Sequence, residues 1–520
     1  MRRSFAARER AKPTRGRGDT ATRRERHSRR AAVSPCLPVY FVLFVTLLMI
    51  VVSGCGARRA YNLERIFAEA RGREGKRPVI VIPGILGSQL VNRRTGEVVW
   101  PSAFRSIDDG MSLPISPDLT ANRDDLYAAK IIDVAYLARL APGIYVYQEL
   151  LAALRRYAGY HEGDWNNPAP DGDRDTFYIF PYDFRRDNVE TARELVRRID
   201  ELKRKLGRPD LRFNIVAHSM GGLVARYAAM YGDADLPDGD VPLQPTWAGA
   251  SSINKIFMFG TPNEGSAEAF VTILEGYSVT EGLRPRVRLF NKLTPEDAVS
   301  IPAVFQLLPH ADAARFLDEN LQPIKVDLYD PETWRRYRWS EINNPGFRER
   351  FARGRVQSEA DAKMQSGSPA DLDAYLAAVL RRAKHFHEAL NAVARVERNP
   401  VLLFAFGGDC EETLAAPVLL RDVKTGKWET LFRPRALRNI TGQRISRKEV
   451  TRAMFVPGDG RVARRSLLSK ESEAGKGKPL FNRMLPLAYG VFACDLHSDL
   501  QNNKTLQENA LTLLIGEMAN

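Results

Sequence analysis

The sequence predicts an α/β fold, a mainly parallel sheet flanked by helices, and three observations carry that expectation. From Lys76 onward, short β-branched runs alternate with helical runs, the signature of repeated strand–helix units. One of those runs ends in a knot of small residues, Ala217-His218-Ser219-Met220-Gly221-Gly222, before a helix begins. The rhythm is interrupted between Thr261 and Asn399, and a structureless loop of that length is improbable, so an inserted subdomain is expected there.

In chain order, RPVIVIPGILG (Arg77 to Gly87) reads as a buried strand that breaks at Pro83-Gly84. VYQELLAALRRYAGY (Val146 to Tyr160) has helical spacing at Leu150, Leu151 and Leu154. TFYIFPYDFR (Thr176 to Arg185) reads as a strand, after an acidic turn from Asp171 to Asp175 expected to be solvated because it lacks a complete calcium loop. The stretch from Asn188 to Gly207 reads as a helix capped by Asn188, with acids early and a glycine at its end. RFNIVAHS, the helix GGLVARYAAMYG and the strand INKIFMFGTP (Ile253 to Pro262) follow. The insert contains aromatics that look exposed, Trp334, Tyr337, Trp339, Phe347 and Phe351, and is read as a cap over the site. PVLLFAFGG (Pro400 to Gly408), RAMFVPGDGRV (Arg452 to Val462) and LPLAYGVFACDLH (Leu485 to His497) read as the remaining strands.

Length and charge frame these elements. At 520 residues the chain has room for one large decorated domain or two to three ordinary ones. The net charge of +14 is concentrated in residues 1–30, where twelve Lys and Arg face three acids, leaving +5 for everything after them. The folded body is nearly balanced, and the arm has Phe5 as its sole aromatic and no folded motif, so no nucleic-acid partner is expected. After the arm comes an apolar core from Val39 to Val52, short for a membrane span and fitting a secretory signal. It ends in Val52-Ser53-Gly54-Cys55, which resembles the lipobox of bacterial lipoproteins, with Cys55 as the lipidated first residue of the mature protein. An uncleaved anchor with an incidental cysteine is the alternative, and the route of export, general or twin-arginine, stays open. Export would permit a disulfide between Cys410 and Cys494; two free thiols are the other reading, and Cys36 precedes the apolar core. The expected division is arm and signal at 1–54, linker at 55–75, core at 76–262, cap at 263–399 and the rest of the core at 400–520.

The chemistry centres on Ser219. Ala217-His218-Ser219-Met220-Gly221 is one residue from the Gly-x-Ser-x-Gly nucleophile elbow, in the strand-before, helix-after context that motif requires. Ala217, Gly221 and Gly222 supply the small neighbours that let strand and helix approach closely. A serine nucleophile needs a base, and in α/β-hydrolases the acid and then the histidine follow it in the chain. His27 and His161 precede Ser219, His218 faces the other way on the strand, and His310, His385 and His387 lie in the insert, which leaves His497. The acid is Asp459 or Asp409, with Asp459 favoured by its Gly-Asp-Gly turn and its nearness to His497 in the chain. Oxyanion donors are expected at the backbone N–H groups of Met220 and of Ile85 in the PGILGS turn. Absent His-Glu-x-x-His, Cys-x-x-Cys, P-loop and Gly-x-Gly-x-x-Gly patterns, no metal or cofactor is expected.

VIPGILGSQL with VVWP, FPYDFR, NIVAHSMGGLVARY, FGTPNEGS, FQLLP, PGDGRVARRSL and HSDLQNN stand in an order that resembles the lecithin:cholesterol acyltransferase family of α/β-hydrolases, which includes lysosomal phospholipase A2 and phospholipid:diacylglycerol acyltransferases. The resemblance runs from about Pro78 to Gly516. It implies a triad of Ser219, Asp459 and His497, an oxyanion hole at Ile85 and Met220, and an acyl-chain pocket shaped by the cap and the loop bearing Trp100. Ala217 departs from the family's first elbow glycine, and the insert matches weakly. The expected function is therefore acyl transfer or phospholipase action on lipid esters through an acyl-enzyme on Ser219, with a plain lipase or carboxylesterase as the alternative. A catalytically silent lipid-binding lipoprotein on the same fold is the rival of another class. A lipid substrate and a membrane surface reached through Cys55 are the expected partners.

Overall fold

The computed structural model describes residues 63–101, 110–135, 144–237, 239, 241, 243–278, 292–353, 367–393, 400–422, 425–439, 441–469 and 485–516. The basic arm, the apolar segment, Cys36 and Cys55 lie outside these residues. Among the described residues, no helix is long and apolar enough to cross a membrane.

The central sheet has seven strands, β1 (Val79–Ile82), β2 (His161–Glu162), β3 (Thr176–Ile179), β4 (Phe213–His218), β5 (Ile253–Phe259), β6 (Leu402–Gly408) and β7 (Leu487–Ala493). Their spatial order is β7-β6-β5-β4-β1-β3-β2, and every neighbouring pair runs parallel. Both faces are covered, which is why β1 and β4 are buried at every position, β1 as an unbroken apolar run and β4 with an apolar centre, Ile215–Ala217. Along each strand the side chains alternate between two cores. Ile80, Ile82, Ile215, Ala217 and Met258 face α2 (Asn188–Lys205) and α3 (Met220–Tyr231). Val79, Val81, Val216, Phe257 and Phe259 face α1 (Gln148–Arg156) and α7 (Lys504–Ile515).

Several local expectations are corrected. The α2 cap is Asp187, whose side chain accepts from the Val189 and Glu190 N–H groups, while Asn188 is the first helical residue and is buried. The acidic turn before β3 is only partly solvated: Asp171 and Arg174 are exposed, but Asp173 pairs with Arg208, and Asp175 lies 2.6 Å from the buried Lys76 ammonium. β3 ends at Ile179, shortly before Pro181, and the chain then turns so that fully buried Arg185 meets Asp124 and Asp183, each at 2.8 Å. Arg452 does not begin a strand. It lies in a helix, α6 (Arg447–Met454), started by a capping box between Ser446 and Glu449, and only Phe455–Gly458 is extended. That strand pairs antiparallel with Glu411–Leu414 in a two-stranded ribbon outside the central sheet.

The insert is helical, with α4 (Ala267–Glu275) at its start and the long α5 (Pro369–Asn391) near its end. Its aromatics are core, not surface. Trp334, Trp339, Phe347 and Phe351 are buried and Tyr337 is half-buried, with Phe270 of α4 packed edge-on at 4.6 Å from Trp339. The insert's sheet also draws on chain beyond residue 399: Phe316–Leu317 pairs with Val418–Arg421, which pairs with Trp428–Leu431. A disulfide joins Cys410, just past β6, to Cys494, just past β7.

Candidate active site

The carboxyl ends of the parallel strands converge on Ser219. It is in the left-handed region, φ 52° and ψ −124°, a conformation that costs a residue with a Cβ about 1–3 kcal/mol and is held by its surroundings. The surroundings explain the small residues. A Cβ on Gly221 would lie 2.5 Å from the Pro83 carbonyl oxygen, and one on Gly222 would lie 2.0 Å from Thr261 Oγ1. Ala217 sits between Ile82 and Met258 in the sheet register, with no exposed surface.

Three side chains from distant parts of the chain meet here. Ser219 Oγ is 2.9 Å from His497 Nε2, and His497 Nδ1 is 2.8 Å from Asp459 Oδ2. A carboxylate can only accept, so Nδ1 carries the proton and Nε2 is bare toward the serine hydroxyl. Burial by itself raises the Asp459 pKa. The neighbouring His497 and hydrogen bonds from His497, Val462 and Arg461 outweigh that and hold it below the usual carboxylate value. Asp409 is not part of this series; its carboxylate pairs with Arg464 at 3.5 Å.

The FGTPNEGS stretch holds the acid in place. Asn263 Nδ2 donates to the Leu467 carbonyl at 2.7 Å, Ser466 Oγ donates to the Gly265 carbonyl at 2.6 Å, and Ser266 donates to the Arg461 carbonyl. Arg461 also pairs with Glu268 at 3.3 Å. A ribbon lying outside the sheet is in this way fastened to the end of β5.

The PGILGS turn closes the other side. A Cβ on Gly84 would lie 2.8 Å from Ser219 Cβ, so the backbone leading into Ile85 runs directly beside the serine. The Gly87 N–H donates to the Gly84 carbonyl at 3.1 Å, Leu86 has a φ of 62°, and the Trp100 indole donates to the Leu86 carbonyl at 2.9 Å. Met220 is the first residue of α3, where backbone N–H groups have no intrahelical acceptor and the helix dipole favours negative charge. The pocket above Ser219 is mostly apolar, with Leu86, Trp100, Ile132 and Val146 on one side and Ala269, Leu293, Val304 and Leu307 of the insert on the other. The insert thus supplies a wall of the pocket, including residues of α4.

His218 faces the other way on the strand, as expected, yet it adjoins the site. It shares the sheet face of Val216, and the loop carrying His497 crosses that face, bringing the two imidazoles to 5.0 Å. Tyr147, unanticipated and 71 residues away, contacts it at 2.9 Å. No spacing rule links them, so only the fold reveals the contact.

Burial, and then His497, push His218 down to about 3; burial and then Arg226 push His310 down to about 4; burial likewise holds His387 well below its ordinary value. All three are neutral in the fold and titrate near 6.5 once unfolded, so unfolding takes up protons as the pH falls from about 6.5 toward 4. Stability is therefore expected to drop through that window, read as a falling denaturation midpoint. A midpoint independent of pH between 6.5 and 4 would contradict their neutral burial.

A protein-family model described as lecithin:cholesterol acyltransferase matches residues 120–401, more than half of the chain. No curated protein matches the chain significantly in sequence. Among solved structures, the chain is similar to one in the Tle4–Tli4 complex, at 15% identity and a TM-score of 0.50, covering 84% of this chain and 98% of that one. It is more distantly similar to EstA from Clostridium botulinum, at 12% identity and a TM-score of 0.30, covering 86% of this chain and 90% of that one. Phospholipase PlaB from Legionella pneumophila matches at 18% identity and a TM-score of 0.18, over 26% of this chain and 25% of that one. The fold is the α/β-hydrolase fold, and the extent of the family match makes the assignment: the chain belongs to the lecithin:cholesterol acyltransferase family of acyl-ester-acting enzymes.

Proposed function

We propose that the protein transfers acyl groups from lipid esters through an acyl-enzyme on Ser219, delivering them to a lipid hydroxyl or to water. The observation that carries this reading is the hydrogen-bonded series from Ser219 through His497 to Asp459 at the floor of a mostly apolar pocket. As Ser219 Oγ bonds to the ester carbonyl carbon, its proton passes to His497 Nε2. The carbonyl oxygen becomes an oxyanion, for which the Met220 and Ile85 N–H groups are the donors. Collapse breaks the ester C–O bond, and the proton on His497 goes to the leaving alkoxide. The second half runs in reverse: water or a lipid hydroxyl gives its proton to His497 and takes the acyl group. Asp459, kept as a carboxylate, holds the imidazole and stabilises its charged form.

A fluorophosphonate probe tests the reading. Labelling of wild type but not of Ser219→Ala supports it, and labelling of neither supports a silent lipid-binding protein instead.

We also infer that lipidation of Cys55 holds the enzyme at a membrane surface, where its esters are concentrated; the lipobox-like Val52-Ser53-Gly54-Cys55 motivates this. Cells expressing the full chain with Cys55→Ala are expected to lose labelled-palmitate incorporation, and unchanged labelling would contradict it.

A further inference from the structure

His218 and Tyr147 belong to a hydrogen-bond chain that joins the two halves of the site. The Gly84 N–H donates to Tyr147 Oη at 2.8 Å, Tyr147 Oη lies 2.9 Å from His218 Nδ1, and His218 Nε2 lies 3.0 Å from the His497 backbone carbonyl oxygen. The proton positions follow from the acceptors. The His497 carbonyl can only accept, so His218 Nε2 carries a proton; a neutral imidazole then has a bare Nδ1, to which the Tyr147 hydroxyl donates. The tyrosine oxygen is left to accept from Gly84. All three bonds point the same way along the chain, an arrangement in which each polarises the next.

The two ends of this chain are the parts of the site that must stay in register. Gly84 immediately precedes Ile85, and its backbone abuts Ser219. The peptide of His497 is gripped from both sides, since its N–H donates to the Asp459 carbonyl at 2.9 Å while its carbonyl accepts from His218. Tyr147 and His218 are buried, so an unmade hydrogen bond in this chain has little water to replace it.

We propose that Tyr147 and His218 are positioning residues, a buried relay that fixes the His497 imidazole over Ser219 and couples it to the turn bearing the Ile85 N–H. This rests on the functional reading above. Neither residue touches the reacting atoms in that reading; each acts through His497 and the Gly84-Ile85 backbone. A charged His218 would break the relay, because a doubly protonated ring cannot accept from Tyr147 and would face an imidazolium on His497. Its burial disfavours that form.

The test uses the full chain with a soluble chromogenic acyl ester such as p-nitrophenyl butyrate, measuring kcat and KM separately alongside the thermal midpoint. Tyr147→Phe, which removes one hydroxyl, is expected to lower kcat by about 10-fold to 100-fold with KM changed by less than about 3-fold, as for lost alignment rather than lost substrate binding. His218→Leu should fall at least as far. His218→Gln can still donate to the His497 carbonyl and should recover part of the loss at a similar midpoint. Equal kcat in Tyr147→Phe and wild type would overturn the inference, as would a His218→Gln no better than His218→Leu when both are folded. Ser219→Ala separates the two claims: a wild type no faster than Ser219→Ala overturns the functional reading and this relay with it, whereas a Ser219-dependent wild type matched by Tyr147→Phe overturns the relay alone.

Discussion

Ser219→Ala is expected to lower lipid-ester turnover by about 10⁶-fold, to whatever the pocket and the oxyanion donors achieve without a nucleophile. The hydroxyl lost is the one 2.9 Å from His497 Nε2, and no other hydroxyl among the described residues is hydrogen-bonded to that nitrogen. His497→Ala should cost nearly as much. The double variant should be no worse than either single one, because nucleophile and base act as a unit and their losses do not add. A stability measurement accompanies this. Ser219 has a φ of 52°, which alanine cannot relieve and glycine can, so Ser219→Gly should be as inactive as Ser219→Ala yet more stable by about 1 kcal/mol. Residual Ser219→Ala activity within about 10-fold of wild type would mean that the serine is not the nucleophile.

The second large effect separates two aspartates. Asp459→Asn is expected to lower kcat by about 10⁴-fold, because an amide in that position can donate to His497 Nδ1 and so favour the tautomer that leaves Nε2 protonated and unable to take the serine proton. Asp459 is buried, it lies 2.8 Å from the imidazole, and its backbone is fastened through Ser266 and the Arg461 carbonyl to the end of β5. Asp409→Asn removes one partner of Arg464, in a pair that is more than a third exposed on both sides, and should change activity by less than about 2-fold. Activity lost in Asp409→Asn and kept in Asp459→Asn would reverse the assignment.

What could be read directly from the sequence follows from periodicity and sterics. β1, β4 and β5 are covered on both faces, so each carries an apolar run, Val79–Ile82, Ile215–Ala217 and Ile256–Phe259. Gly221 and Gly222 are legible because any side chain there collides with Pro83 or Thr261. His497 is legible by chain order. The acid is less legible, since Phe455–Gly458 belongs to a two-stranded ribbon and not to the sheet whose strand ends mark the other site residues. The insert's aromatics look exposed in the sequence because their neighbours in the chain are polar; Trp334 and Trp339 are buried through contacts with Phe270 and Phe316, which adjacency does not show. Strand alternation places His218 on the opposite face of β4 from Ala217 but says nothing of the His497 loop that crosses that face. Tyr147 reaches it from the start of α1, a meeting that only tertiary packing creates.

The central claim is a covalent acyl-enzyme on Ser219, and rapid quenching with a phospholipid of defined acyl chains, followed by mass mapping of the peptides, tests it most directly. The expected result is a mass increase of one acyl chain on the peptide containing Ser219, lost in Ser219→Ala and accumulating when acceptor is withheld. Turnover of the phospholipid by Ser219→Ala at the wild-type rate, or an acyl group found on a different residue, would contradict it.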